Sequence, residues 1–303
     1  MSGDAELDEQ AIAIMRRAYA KQMLAVADAE DDKHMGDAFA TVPRERFLGS
    51  PPWTIAARGG YRVLSSSEPA IVYQDINFAL APEHGVNNGS PSLHANWLHR
   101  AALNEGDHVA HIGAGTGYYT ALIAHLVGRQ GHVVAVEFDP RLAQLAIENL
   151  AHLPNVTVVQ GDGAEWPRED VDCIYVNFSV RRPADAWVDN LKTGGRLILP
   201  LGVPRPDPSR SGGIHALYGA GLCVERQETG FSARWLGAAF FVCAEGHLAE
   251  DHGDGDALKA AFEKGGVEFV RSLQWKRPTS PDRCWFVGAD WSLGYDEHSQ
   301  LHL

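Results

Sequence analysis

HIGAGTGYYTALIAHLVG, residues 111–128, decides the fold. Its front end belongs to a short apolar run, HVAHI (108–112), which enters three alternating glycines, Gly113, Gly115 and Gly117. Its back end, YYTALIAHLVG (118–128), carries helical periodicity and stops at Gly128, a natural helix C-cap. Glycines between a strand and a helix allow a tight turn and let backbone approach a ligand at the helix N-terminus.

Toward the C-terminus the alternation continues. HVVAVEF (132–138) is β-branched and reads as a buried strand, and a helix is predicted from Pro140 to His152 with proline in its first turn. VTVVQ, DCIYVNF and RLILPL give three more strands. Strands alternating with helices at this spacing predict βαβ units with right-handed crossovers. The expected fold is α/β and Rossmann-like, with a mostly parallel central sheet flanked by helices.

On the N-terminal side, apolar positions Ile12, Met15, Tyr19 and Met23 predict a helix from Glu6 to Asp28. Pro43, Pro51-Pro52, Gly59-Gly60, Pro69 and Pro82 then mark a loop-rich segment. Beyond residue 204, IHALYGAGLCVERQETGFSARWLGAAFFVCA predicts antiparallel strands, ALKAAFEKGG a short helix, and VEFVRSLQWKR and RCWFVGADWSL further strands. The chain divides accordingly into residues 1–100, an N-terminal helix and loop-rich cover; 101–245, the ligand-binding core; and 246–303, a small α+β extension.

The 303 residues are 45 % hydrophobic and 9 % aromatic, which supports a sizeable core and argues against disorder. A net charge of −13 repels a phosphate backbone, so a nucleic-acid partner is not expected. Arg181-Arg182 is the one basic doublet placed to oppose that, and it reads as a solvated helix start. Cys173, Cys223, Cys243 and Cys284 include no Cys-x-x-Cys pair, so neither a zinc knuckle nor a redox couple is expected and a reducing, cytoplasmic setting fits. His108, His111, His125 and His132 fall on different faces, and no metal site is expected. The acidic opening MSGDAELDEQ is not expected to act as a signal peptide, and no apolar run is long enough to predict a membrane span.

Which ligand the glycine turn serves follows from its surroundings. The spacing is Gly-x-Gly-x-Gly, and Tyr118 stands where the dinucleotide fingerprint has its third glycine, which disfavours NAD or FAD. Glu137 closes the next strand, twenty residues past Gly117, where a carboxylate accepts from ribose hydroxyls; Asp139 competes for that role. Gly161-Asp162-Gly163 ends the third strand; Asp162 accepts from an adenine amine there, or the triplet is a simple turn. One of Tyr118 and Tyr119 is expected to touch the ligand and the other to pack. Asn177 ends the fourth strand. Adenine, ribose, no phosphate and a tail at the glycine turn describe S-adenosyl-L-methionine. The expected cofactor-binding set is Gly113, Ala114, Gly115, Gly117, Tyr118, Glu137, Asp162, Gly163 and Asn177. Displacement at an activated methyl asks the protein mainly for proximity and alignment.

These motifs, in register, resemble the class I methyltransferases and, within them, the protein-L-isoaspartate O-methyltransferase family. The resemblance covers roughly residues 36 to 200 and rests on Val42-Pro43-Arg44-Glu45 with Phe47, on Tyr73-Gln74-Asp75, on HIGAGTGYYTALIAHLVG, and on VEFDPRLAQLAIENL, NVTVVQGDGAEWP and LKTGGRLILPLG in order. It implies methyl transfer to the carboxylate of an isoaspartyl or aspartyl residue in a protein or peptide. The family's Ile-Ser-x-Pro step, aligned on Pro91 and His94-Ala95, places Gly89 where the family has serine, with Ser90 one residue later. Alternatives are therefore a diverged O- or N-methyltransferase acting on a biosynthetic peptide or small metabolite, and a cofactor-binding module without transfer. After the fourth strand, Asn177-Phe178-Ser179 replaces the family's small residues, and bulky Phe178 is expected to reshape the acceptor pocket.

Asn88, Ser90 and His94 are the candidate catalytic residues. An Asn87-Asn88-Gly89-Ser90 loop facing the cofactor can bind an acceptor carboxylate. Ser90 and Ser92 read equally as caps of the following helix. His94 is either a general base for a hydroxyl acceptor or a packed helical side chain; a carboxylate acceptor, already ionised, needs no base.

Overall fold

The computed structural model describes residues 9–57, 60–205, 214–251, 253–277 and 281–297. Helix α1 (Glu9–Val26) buries Tyr19, Met23 and Leu24 along the predicted stripe; Glu6 to Asp8 of the predicted helix lie outside the described residues. Helix α2 (Lys33–Thr41) starts at Asp32, whose side chain accepts from the Met35 amide. The loop-rich segment then folds into two small hairpins, β1 (Thr54–Ala57) with β2 (Gly60–Val63) and β3 (Ala79–Ala81) with β4 (Val86–Asn87), before α3 (Pro91–Ala101).

The middle of the chain runs β5 (His108–Ile112), α4 (Tyr118–Val127), β6 (His132–Glu137), α5 (Pro140–Leu150), β7 (Val156–Gln160), β8 (Val171–Val176), α6 (Asp185–Asp189) and β9 (Leu191–Pro204). Strands β10 (Ala216–Gln227) and β11 (Gly230–Ala238), helix α7 (Gly255–Lys264), and strands β12 (Ser272–Trp275), β13 (Cys284–Val287) and β14 (Trp291–Gly294) follow.

Ten of these strands form one sheet in the order β13-β14-β12-β11-β10-β9-β8-β5-β6-β7. The expected parallel sheet is its half from β9 to β7, where β5 lies parallel to β6 and β8, β6 to β7, and β8 to β9. From β9 onward every pairing is antiparallel. Of the segment that begins at residue 246, the described strands β12, β13 and β14 join the same sheet. The reason is chemical. β10 and β11 are long and half-apolar, and their free edge is completed by further strands.

Both faces of the sheet are buried. One packs Trp97, Leu122, Ile123 and Tyr175 with α1 and α3, and the other packs Trp187, Leu258, Trp285 and Trp291. β5 is followed in the chain by its neighbour β6 on one side, while its other neighbour, β8, comes two strands later. That reversal of strand order leaves a crevice beyond the carboxyl ends of β5 and β8, the expected place for a ligand in such a sheet. Among the described residues, no helix is long and apolar enough to cross a membrane.

Candidate active site

A cavity of about 350 Å³ occupies this crevice. The turn after β5 forms its floor. Gly113 and Ala114 both donate to the Val136 carbonyl, at 2.8 and 3.1 Å, which pins the turn to β6. Gly115 has φ +58° and donates its N–H to Glu137 Oε2 at 2.6 Å. Glu137 Oε1 accepts from the Asp139 amide at 3.0 Å. The carboxyl is 8 % exposed, and burial raises it from the ordinary 4.5 to about 7 against the pull of these amides. Asp139, the rival for the ribose role, caps α5 by accepting from the Arg141 and Leu142 amides. Glu137 thus holds the position that the sequence assigns it, and lines the cavity with Gly113, Ala114, Gly115, Gly161, Asp162 and Gly163.

Asp162 is more occupied than the sequence suggests. Oδ1 accepts from Ala164 at 2.9 Å, and Oδ2 accepts from the backbone of His247 at 3.0 Å with the His247 ring 3.2 Å away. A segment 85 positions downstream therefore closes this end, and Leu248 joins the lining. Trp187 donates to the Gly163 carbonyl at 2.9 Å and holds the turn from below. Gly117 lets α4 start against α5, since a Cβ there would lie 2.7 Å from Leu150.

Asn177 lies across the crevice from this acid. Its Nδ2 pairs with His111 Nε2 at 2.8 Å, and His111 Nδ1 is 2.8 Å from Thr120 Oγ1. Burial lowers His111 to about 3, so the ring is neutral. With Nδ2 committed, Asn177 Oδ1 is a buried acceptor with no partner among the described residues, and Asn177 lines the cavity. Such an orphaned acceptor suits a cationic ligand group. Glu137, Asp139, Asp162 and Glu245 are the carboxylates of the lining among the described residues. An adenosine with a positively charged tail fits these residues.

The other end is built from α3 and the loop before it. Asn87 Oδ1 accepts from the Gly89 amide at 2.9 Å, and Asn88 Oδ1 accepts from the Phe78 amide at 2.8 Å. Asn88 is 8 % exposed and its Nδ2 has no partner among the described residues. Ser90 is the N-cap of α3; its hydroxyl accepts from Leu93 at 3.4 Å and also bonds Asp75 Oδ1 at 3.1 Å. Ser92 Oγ reaches Asp75 Oδ2 at 2.5 Å. The capping role expected for Ser90 is thus the one its hydroxyl serves. His94 is 1 % exposed, with Nδ1 2.8 Å from the Tyr175 hydroxyl. Burial, then His111 and Arg44, hold it well below 6.5, which makes it a poor general base.

Tyr118 and Tyr119 are both buried and both line the cavity. Tyr118 packs on Phe47, while Tyr119 stacks on His94 with ring centroids 3.8 Å apart. Phe178 corrects an expectation. Its ring lies under the glycine turn, where a Cβ on Gly113 would meet it at 2.7 Å, and beside Trp187, so it shapes the cofactor end rather than the acceptor end.

The quoted N-terminal motif residues knit the cover together. Arg44 is fully buried and donates to the carbonyls of Val72, Gln74 and Ile76 at 2.7, 2.8 and 2.6 Å, with its guanidinium over Tyr19, Phe78 and Tyr118. Tyr73 bonds Glu45, and Arg16 donates to the Tyr73 hydroxyl at 2.9 Å. Thr116 Oγ1 donates to the Phe47 carbonyl at 2.7 Å, tying the glycine turn to the cover. Arg181 and Arg182 are not simply solvated: Arg182 pairs with Asp185 and Asp290 over the Trp275 ring, and Arg181 bonds the Ala249 carbonyl. Tyr175, Trp187, Phe241 and His247 escaped sequence reasoning. Each reads as an ordinary apolar or surface residue; in the fold Phe241 lines the cavity, while Tyr175, Trp187 and His247 bond His94, the Gly163 carbonyl and Asp162.

A Rossmann-like sheet with a glycine turn and a strand-end carboxylate lining the crevice is the class I methyltransferase fold. Two solved structures described as protein-L-isoaspartate O-methyltransferases share it. One superposes with a TM-score of 0.61 at 22 % identity, over 93 % of this chain and 89 % of the other. The second, from Plasmodium falciparum and determined with S-adenosyl-L-homocysteine, gives 0.57 at 18 % identity, over 76 % and 98 %. Residues 21–208 match the family described as protein-L-isoaspartate(D-aspartate) O-methyltransferase, and the chain belongs to that family. Relatives named protein-L-isoaspartate O-methyltransferase include those of Thermotoga maritima (33 % identical over 55 % of this chain and 50 % of its own length) and Ignicoccus hospitalis (32 %, 56 % and 74 %). Another, from Methanococcus aeolicus, is 38 % identical over 57 % of this chain and 73 % of its own. The match thus spans half the length of the Thermotoga protein and about three quarters of the other two.

Proposed function

We propose that this protein is an S-adenosyl-L-methionine-dependent carboxyl O-methyltransferase that acts on isoaspartyl or aspartyl groups of a protein or peptide. One observation carries the reading: the cavity is polarised. Glu137 and Asp162 line it beside the glycine turn, and at the α3 end Asn88 Nδ2 is a buried donor with no partner among the described residues, with His94 in the same lining. The Arg44 guanidinium lies behind Tyr118 on that side without a carboxylate bonded to it among the described residues. A negatively charged acceptor is favoured there.

When bound, the cofactor supplies a methyl carbon already activated by its sulfonium. Gly113 to Gly117 provide the backbone turn against its tail, Glu137 accepts from ribose hydroxyls, and Asn177 Oδ1 accepts from a cationic group. An ionised acceptor brings its own nucleophile, so the chain has no proton to remove and its task is to hold one carboxylate oxygen in line. The four cysteines are unpaired, in keeping with work in a reducing cytoplasm.

The test is incubation with an isoaspartyl peptide and methyl-labelled cofactor. A base-labile methyl ester on the peptide is expected. Absence of transfer, with cofactor binding intact, would overturn the reading. A second reading, an acceptor that is a biosynthetic peptide or small metabolite, is favoured by Gly89 in the family's serine position. It is favoured also by the cavity wall of residues 238–245, which lies beyond the matched stretch. Transfer to such an acceptor and none to isoaspartyl peptide would select it.

A further inference from the structure

Resting on the carboxylate-acceptor reading, we propose that His94 is the residue that grips the acceptor carboxylate, through a neutral Nε2–H, with Asn88 Nδ2 as its second donor. Gly89 leaves room for no side chain. It has φ +74°, and a Cβ built on it would lie 2.3 Å from His94 Nε2. The volume in which a side chain at 89 would project is filled by the imidazole edge, which reaches it from one turn further along.

That edge is fixed. The ring stacks on Tyr119 at 3.8 Å between centroids and meets Trp97 and Phe241 edge-on at 6.3 and 5.9 Å. Its tautomer follows from hydrogen-bond accounting. The buried Tyr175 hydroxyl has His94 Nδ1, 2.8 Å away, as its partner among the described residues. If Nδ1 carried the proton, the hydroxyl's own hydrogen would be buried without an acceptor. When Tyr175 donates to Nδ1, both groups are satisfied and the proton sits on Nε2. Nε2, packed against Gly89 at the cavity wall, is then the donor of the ring and has no partner among the described residues; His94 lines the cavity with Asn88.

Asn88 adds the second donor for the same reason. Its Oδ1 is spent on the Phe78 amide, which turns Nδ2, buried and unpartnered, into the free group. Two N–H donors lining the same cavity match the two oxygens of a carboxylate. Neither can be deprotonated near neutral pH, so the grip orients the acceptor without taking a proton from it.

The test uses the full chain loaded with S-adenosylhomocysteine and titrated with an isoaspartyl peptide, alongside steady-state kinetics. His94→Leu is expected to weaken peptide binding at least tenfold and to raise KM in step, with cofactor affinity within twofold of wild type. His94→Gln, which returns an N–H near Nε2, is expected to recover binding to within about threefold. Asn88→Asp keeps the acceptor for Phe78 but opposes a carboxylate, and is expected to lose more than tenfold. Should His94→Leu fail to fold, Tyr175→Phe, which frees Nδ1 and lets the tautomers mix, is expected to weaken the peptide about threefold. Peptide binding unchanged within twofold in these variants, or a loss matched by loss of cofactor, overturns the proposal. If the wild type binds the peptide in a His94-dependent way yet transfers no methyl to it, the carboxyl-transfer reading falls while the grip stands.

Discussion

Gly115 and Glu137 form a single unit: the amide of the glycine turn donates to Oε2 of the strand-end carboxylate at 2.6 Å, twenty-two positions apart. The turn proposed to receive the cofactor's tail and the acid proposed to receive its ribose are therefore tied to each other.

Glu137 gives the site a pH dependence. Its carboxyl lies near 7 in the folded apo protein against 4.5 for an ordinary one, because burial disfavours its charge. The raised value stabilises the apo fold below pH 4.5, and that contribution fades as pH rises through about 7. It amounts to roughly 3 kcal/mol. Ribose hydroxyls donate to the charged form, so cofactor binding expels a proton and affinity rises between pH 6 and 8. Calorimetry in buffers of different ionisation enthalpy should show proton release at pH 6.5. Glu137→Gln should abolish it and weaken binding about tenfold.

Gly115→Val should abolish cofactor binding. The residue has φ +58°, and a Cβ there would press on Leu80 Cδ1 at 3.1 Å while facing the cavity. A branched side chain adds bulk where backbone must approach the ligand. Equilibrium binding of S-adenosylhomocysteine is the measurement, and affinity retained within threefold would refute this role for the turn.

Asp162→Ala should act on two segments at once. It removes the cap on the Ala164 amide and the partner of the His247 amide. Cofactor affinity is expected to fall about tenfold, and hydrogen exchange at residues 246–249 to quicken. Exchange there at the wild-type rate would show that the tether does not hold this segment.

Arg44→Met should destabilise the whole protein. It leaves the buried Val72 carbonyl and the part-buried carbonyls of Gln74 and Ile76 without their donor. The expected cost is about 3 kcal/mol or more, read as a lower midpoint in urea denaturation. Arg44→Lys should recover little, since one ammonium on a flexible stem does not reproduce a planar fork.

The cofactor end was largely legible in the sequence, because a glycine turn, a strand-end acid and a strand–helix rhythm are local patterns set by backbone geometry. Gly113 to Thr116 and Glu137 line one cavity, while Gly117 does not line it and sits against Leu150. What was not legible depended on distance in the chain. Nothing local marks His247 as a partner of Asp162, or Tyr175 as the group that sets the His94 tautomer. Ser90 carried two readings, and only the placement of Asp75 beside its hydroxyl shows where that hydroxyl is used. Beyond β9, apolar alternation announced strands but not their registers, since antiparallel neighbours pair across long intervals.

The long β9 has one further consequence. Nine of its fourteen residues, Leu191–Pro204, are buried, and β10 flanks it from Arg196 to Pro204. A chain shortened to the matched stretch, which ends at residue 208, would leave that strand as a bare, flat, apolar margin. Such a margin templates self-association. A truncated form is therefore expected to self-associate where the full chain does not.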